Sequence, residues 1–126
     1  MKKANKDEIR IHNWIANWKK TLFLHDWDIR VLWSLEDEGT RVGHTECTIR
    51  YYEATITLYP GLVKQTLDVQ WCCIVHELTH VLLAHLQCLG QKMARDKIVT
   101  EEEYTDVLEQ TTTRLSNILT NAWPVK

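Results

Sequence analysis

One stretch of this chain, residues 67–89, sets the terms for everything else. Ile74, Val75, Leu78, Val81, Leu82 and Leu83 cover most of the circumference that a helix would present there, and Gly90 stands as its C-terminal stop. A helix apolar on so many sides has to be packed on several of them. Yet it carries His76, Glu77 and His80 in its middle. Burying three such groups is costly unless each finds a partner. The fold must therefore supply neighbours for the helix and a partner for the polar triplet.

The rest of the chain is read around that helix. At 126 residues there is room for one domain, spanning 1–126, and not for two. Ile11, Trp14, Ile15, Trp18 and Leu22 fall at i, i+3, i+4 and i+7, which predicts an amphipathic helix over residues 7–22, with Asn5 or Asp7 as its cap. From Trp27 the period changes to two, with Ile29, Val31 and Trp33 on one face of a strand. Residues 36–39 read as a loop, residues 41–49 as a weakly alternating strand, and residues 51–53 as a turn. Residues 54–59 form a β-branched strand stopped by Pro60-Gly61. Thr100 and Glu103 have the spacing of a capping box that opens a last helix, with Tyr104, Val107, Leu108, Leu115, Ile118 and Leu119 as its apolar stripe. The expected class is α+β: an N-terminal helix, a small three-stranded sheet with a hairpin, the apolar helix and a C-terminal helix.

His76-Glu77-Leu78-Thr79-His80 is an HExxH pattern. A chain of this composition contains such a match by chance roughly 0.02 times, and this one lies inside the predicted helix. Four residues advance a helix by about 400° and ~6 Å, so His76 and His80 project from one face a turn apart. Two imidazoles so placed can take adjacent corners of a tetrahedral Zn²⁺ site. Glu77 lies about 100° from His76 around the axis, flanking the metal without competing for its corner. A carboxylate there can act as general base toward a zinc-activated water attacking a polarised carbonyl. The pattern predicts one catalytic zinc ion and peptide-bond hydrolysis.

Two protein ligands leave a zinc site incomplete. His85 lies nine residues from His76, about 900° around a continuous helix, and so faces away as a partly exposed surface histidine. The final helix offers Glu101, Glu102, Glu103, Asp106 and Glu109. The first three lie in its first turn, where acids also complement the helix dipole. Glu109 is mid-helix, with Thr112 and Ser116 following at i+3 and i+7, a flank small enough to approach another helix closely.

His76 to Leu86, the preceding hairpin, Trp27-Asp28-Ile29 at the start of the first strand, and Glu109 to Ser116 together resemble the small phage and prophage metallopeptidases, which are similar to minimal gluzincins. The resemblance implies a zincin-like domain in which His76 and His80 hold zinc, Glu77 is the catalytic base and Glu109 is the third ligand, with Glu102 or Glu103 as fallback. It implies a protein or peptide substrate bound along the edge strand of the sheet. Residues 54–59 are the expected edge, with Ala54, Thr55, Ile56 and Thr57 as substrate-binding residues. The alternative is a catalytically lapsed zinc-binding regulatory or interaction protein of phage origin, or a structural zinc site closed by a cysteine.

Composition narrows the rest. Fifteen Lys+Arg against 17 Asp+Glu give a net charge of −2, without the basic excess that nucleic-acid binding needs. No apolar run reaches the ~18 residues of a membrane span, and the charged N-terminus lacks the apolar core of a secretory signal, so a cytoplasmic location is expected. Cys47, Cys72, Cys73 and Cys88 contain no CxxC pair and read as four reduced thiols, Cys72 and Cys73 as small buried ones near the metal-facing stripe. His44 reads as a polar strand residue, while it, Tyr59 and Tyr104 are the candidates to stabilise an oxyanion. Of the six tryptophans, Trp14, Trp18, Trp27, Trp33 and Trp71 fall at core-facing positions, and Trp123 is placed to cover an end of the core.

Overall fold

The computed structural model describes residues 5–36 and 39–125. Helix α1, Lys6–Thr21, starts where the Asn5 side chain accepts the Glu8 N–H at 2.9 Å. It buries Ile11, Ile15 and Trp18 along the predicted stripe. Strands β1, Asp28–Trp33, and β2, Gly43–Thr48, follow. A single 3₁₀ turn over Ile49–Tyr51, closed by Tyr52 in the left-handed region, returns the chain as β3, Glu53–Leu58. Helices α2, Leu67–Leu82, α3, Ala84–Arg95, and α4, Glu101–Ala122, complete the chain. The class is α+β, with four helices and one mixed sheet among the described residues. Of the loop expected at 36–39, Asp37 and Glu38 lie outside the described residues.

The sheet corrects the expectation that residues 54–59 form an edge strand. Its order is β1-β3-β2, with β3 parallel to β1 and antiparallel to β2. Ala54, Thr55, Ile56 and Thr57 therefore sit on the central strand, with both rows of backbone groups already paired, and cannot accept a further strand. The physical reason lies in the side chains of β3. Ala54, Ile56 and Leu58 are buried on the core face, and Thr55 and Thr57 are half-buried on the other, a pattern suited to a strand covered by neighbours. Strands β1 and β2 are the edges.

The core lies between this sheet and α1 and α2. Ile11, Ile56, Leu58, Leu62, Ile74 and Leu78 are essentially sealed from solvent, each contributing about 1.5–3 kcal/mol through burial. A tryptophan seam closes one end. Trp71 packs on Trp14 with ring centroids 4.9 Å apart and on Trp18 at 5.6 Å, and its indole N–H donates to the Trp123 carbonyl at 2.9 Å. It ties the first turns of α2 to α1 and to the end of α4.

The long helix expected over 67–89 is two helices. At Leu83 the chain bends by 65° between α2 and α3. No residue at the break forces it, since Val81-Leu82-Leu83-Ala84 all favour helix; the cause is tertiary. Gly90, expected as a helix stop, lies inside α3 beneath the Tyr104 ring, where any Cβ would overlap that ring. The Tyr104 hydroxyl donates to the Gln87 carbonyl at 2.9 Å. Packing α3 against α4 in this way requires it to leave the axis of α2.

Helix α4 begins as the capping box predicts, with Thr100 Oγ1 accepting the Glu103 N–H at 3.0 Å and donating to Glu103 Oε1 at 3.0 Å. Its inward face differs from the expected stripe. Val107 and Ile118 are exposed, and the seam against α2 is made instead by Thr112 and Ser116, both buried. Small side chains there let the two helix backbones approach closely. That approach positions the residue one turn earlier, Glu109.

Candidate metal centre

His76 and His80 stand one turn apart on the face of α2 that looks toward α4, with ring centroids 4.9 Å apart and planes near perpendicular at 83°. The opposite face, Ile74, Val75, Leu78 and Val81, is fully buried, so the rotation of the helix about its axis is fixed by core packing. Glu109 reaches in from α4. Its Oε2 lies 3.6 Å from His76 Nε2 and its Oε1 3.5 Å from His80 Nε2. Both separations exceed the ~2.7–3.2 Å of a hydrogen bond. Each, to its own carboxylate oxygen, is close to the edge of a tetrahedron whose corners stand ~2.0–2.2 Å from a central ion, roughly 3.3–3.6 Å. The three ligand atoms all lie within 4.8 Å of one another, and the group could hold a metal ion.

Protonation suits the imidazole to that role. Burial is the main cause that holds the His80 pKa below its ordinary value, against the opposing pull of Glu77 and Glu109 and with the help of His76 and His44. Its neutral form, the one able to ligate, is favoured.

Glu77 is 6% exposed and lies against β2. Thr45 donates its hydroxyl proton to Glu77 Oε1 at 2.7 Å, and Thr45 Oγ1 also lies 3.2 Å from the Glu77 main-chain carbonyl oxygen. Gly43 makes the approach possible, because a Cβ there would stand 3.1 Å from Glu77 Cγ and 3.3 Å from Oε2. Neither Gly43 nor Thr45 stood out in the sequence. The available signal was a glycine inside a strand, which often marks a close approach to another group.

The remaining candidates fall away from the group. His85 is exposed and packs near Trp27 and Tyr52, with centroids 6.3 and 5.7 Å away. The bend at Leu83, rather than the angle along one continuous helix, decides its direction. Glu102 is exposed in the first turn of α4, and Glu103 is held by Thr100. Tyr104 is engaged with Gln87. Cys72 is exposed rather than buried, while Cys73 packs against the core. Burial, followed by the nearby Glu77 carboxylate and Cys72, pushes the Cys73 thiol up to about 11. It is thus held as a thiol, and no cysteine belongs to the ligand group.

The site opens into a trough along β2. A hollow of about 380 Å³ is lined by His76, Glu77, His80 and Glu109, with Arg41, His44 and Gln87 at its sides. Beyond Gly43 it continues into one of about 510 Å³ toward Asp68 and Cys72, and beyond Thr45 into one of about 500 Å³ toward Arg50 and Gln91. His44 thus lines the site instead of being only a polar strand residue. A larger hollow of about 780 Å³ between α3 and α4 includes none of the ligand group.

No single helix among the described residues is long and apolar enough to cross a membrane. In comparisons with known proteins, no family model, no curated protein and no solved structure matches the chain.

Proposed function

We propose that this chain is a zinc-dependent peptidase of minimal gluzincin-like build, in which His76, His80 and Glu109 hold one zinc ion and Glu77 is the general base. The observation that carries this reading is the grouping of His76, His80 and Glu109, whose ligand atoms all lie within 4.8 Å of one another, beside a buried carboxylate, Glu77, that is not among them. Two nitrogens and one oxygen are a donor set that suits zinc and leaves a fourth position open for reactants. Bound there, zinc would supply a Lewis acid that polarises a carbonyl and makes water a stronger nucleophile near neutral pH.

The chain's own residues do the rest. Glu77 accepts a proton from the attacking water and returns it to the leaving amine. Thr45 holds Oε1, so that Oε2 is the atom free to take that proton. An extended peptide pairs with the free edge of β2, the strand that walls the trough, rather than with β3. The substrate is a protein or peptide, and the protein acts in the cytoplasm of a bacterium or of a phage-infected host.

Zinc content and hydrolysis of denatured protein substrates, measured side by side, test this reading. Glu77→Gln should keep stoichiometric zinc and lose hydrolysis, whereas His80→Ala should lose the metal. A Glu77→Gln protein cleaving a responsive substrate as fast as the parent would falsify the mechanism. Zinc bound at one equivalent with no substrate cleaved by the parent would favour the lapsed, zinc-binding interaction protein.

A further inference from the structure

We propose that Arg41 anchors a carboxylate of the substrate, so that the trough selects peptides carrying an acid beside the bond held over the metal group. This rests on the peptidase reading above and adds a substrate class to it. Arg41 lines both the hollow that contains His76, Glu77, His80 and Glu109 and the adjoining one toward Asp68. It therefore stands where a side chain next to the scissile bond would pass. Its guanidinium lies over the Tyr59 ring, 5.8 Å from the centroid, and its Nη2 donates to His44 Nδ1 at 2.9 Å. That bond assigns the His44 proton to Nε2, which faces Glu46 Oε1 at 3.4 Å.

The head group is thus oriented without being neutralised. Among the described residues no carboxylate comes within ion-pair distance of Arg41, whereas Arg10 and Arg30 each have one, Asp7 and Asp28. Asp68, across the adjoining hollow, sits in the first turn of α2, where the helix dipole accounts for it. Among the residues lining the hollow of the metal group, Glu77 and Glu109 would balance the two charges of a divalent ion, which leaves Arg41 as the cation there without a matching carboxylate. A planar fork of donors held against an aromatic face is built to take a carboxylate. That carboxylate comes from an Asp or Glu side chain or from the free end of a peptide.

The test uses the zinc-loaded Glu77→Gln protein, which should bind without cleaving, and hexapeptides of Ala and Thr. One set carries a single Asp or Glu at each position with both ends blocked, a second is neutral with a free terminal carboxylate, and a third is neutral and fully blocked. At least one acid-bearing set should bind about tenfold more tightly than the third, and Arg41→Gln should remove that advantage while leaving the third set unchanged. Arg41→Glu should turn the preference toward peptides carrying Lys. Whichever set responds identifies the source of the carboxylate. Equal binding of all three sets, equal weakening of all three by Arg41→Gln, or no binding of either acid-bearing set overturns the proposal. The parent protein with the same peptides separates it from the peptidase reading: acid-selective binding without cleavage leaves Arg41 standing and removes the peptidase, and cleavage indifferent to acid does the reverse.

Discussion

Glu77 and Glu109 are the two carboxylates of the site, and the protein treats them in opposite ways. Glu77 is 6% exposed, accepts a 2.7 Å hydrogen bond from Thr45 and lies against a glycine that leaves it just enough space. Glu109 has half of its side chain in solvent, and its oxygens stop 3.5 and 3.6 Å short of the two histidines. Packing and hydrogen bonding fix the first in the absence of any ion. Backbone approach brings the second to the right distance, through Thr112 and Ser116, but only an ion would close the gap. On the proposed reading the base is preorganised by the protein, whereas the third ligand would be finished by the metal.

Replacing each carboxylate is the strongest way to break that contrast. Glu77→Gln is expected to lower kcat by about 10²–10⁴ while zinc stays bound, the usual contribution of a positioned general base. Glu109→Ala is expected to do the reverse at first. Zinc affinity should fall by at least about tenfold on loss of a charged ligand, with the stability of the metal-free protein within about 0.5 kcal/mol of the parent, as for an exposed residue. Competition with a chelator measures the first quantity and denaturant unfolding the second. If Glu109→Ala destabilised the metal-free protein as strongly as a core substitution, the distinction drawn between the two acids would fail.

How far the sequence foretold this site follows from the range over which each feature is determined. His76, Glu77 and His80 were legible because their geometry is set by the pitch of one helix, and Glu109 because small residues followed it at helical spacing. Strand order was not. The alternation in residues 54–59 identifies a strand, but its central place depends on parallel pairing with β1, more than twenty residues earlier. The break at Leu83 was invisible for the same reason, since Gly90 and Tyr104 create it from outside the segment. Thr45 and Gly43 escaped because their role appears only when β2 is laid against α2.

Those two residues give a finer test of what holds Glu77. Gly43→Ala places a methyl 3.1 Å from Glu77 Cγ, closer than the carboxylate tolerates without shifting by a few tenths of an ångström. Since small misplacements of a reacting group are expensive in rate, kcat should fall by about tenfold with zinc affinity unchanged. Thr45→Val keeps the shape of the strand but removes the donor to Oε1. Folding stability should fall by about 1.5 kcal/mol, the low end for a hydrogen bond to a charged group, because the trough lets water replace part of it. If zinc affinity fell with either substitution, the base and the ligands would be one coupled unit rather than two.

The gentlest probe is pH, acting on the metal-free protein through His80. Burial is the main cause that lowers its folded pKa below the 6.5 of an ordinary imidazole. Well above pH 6.5 the ring is neutral in both the folded and the unfolded chain, and it contributes no pH dependence. As the pH falls below that value the unfolded chain takes up the proton first, so the folded state loses stability progressively down to its own, lower pKa. Thermal unfolding in the presence of a chelator should therefore show the melting temperature dropping between neutral and mildly acidic pH, and His80→Gln should flatten that drop. Glu109→Gln should steepen it, because the carboxylate is one of the groups that favour the protonated ring in the folded protein. Identical slopes in all three proteins would mean that the pocket around His80 admits the proton as readily as water does. The second histidine would then owe its readiness for metal to the ion alone, like Glu109, and preorganisation would be confined to Glu77.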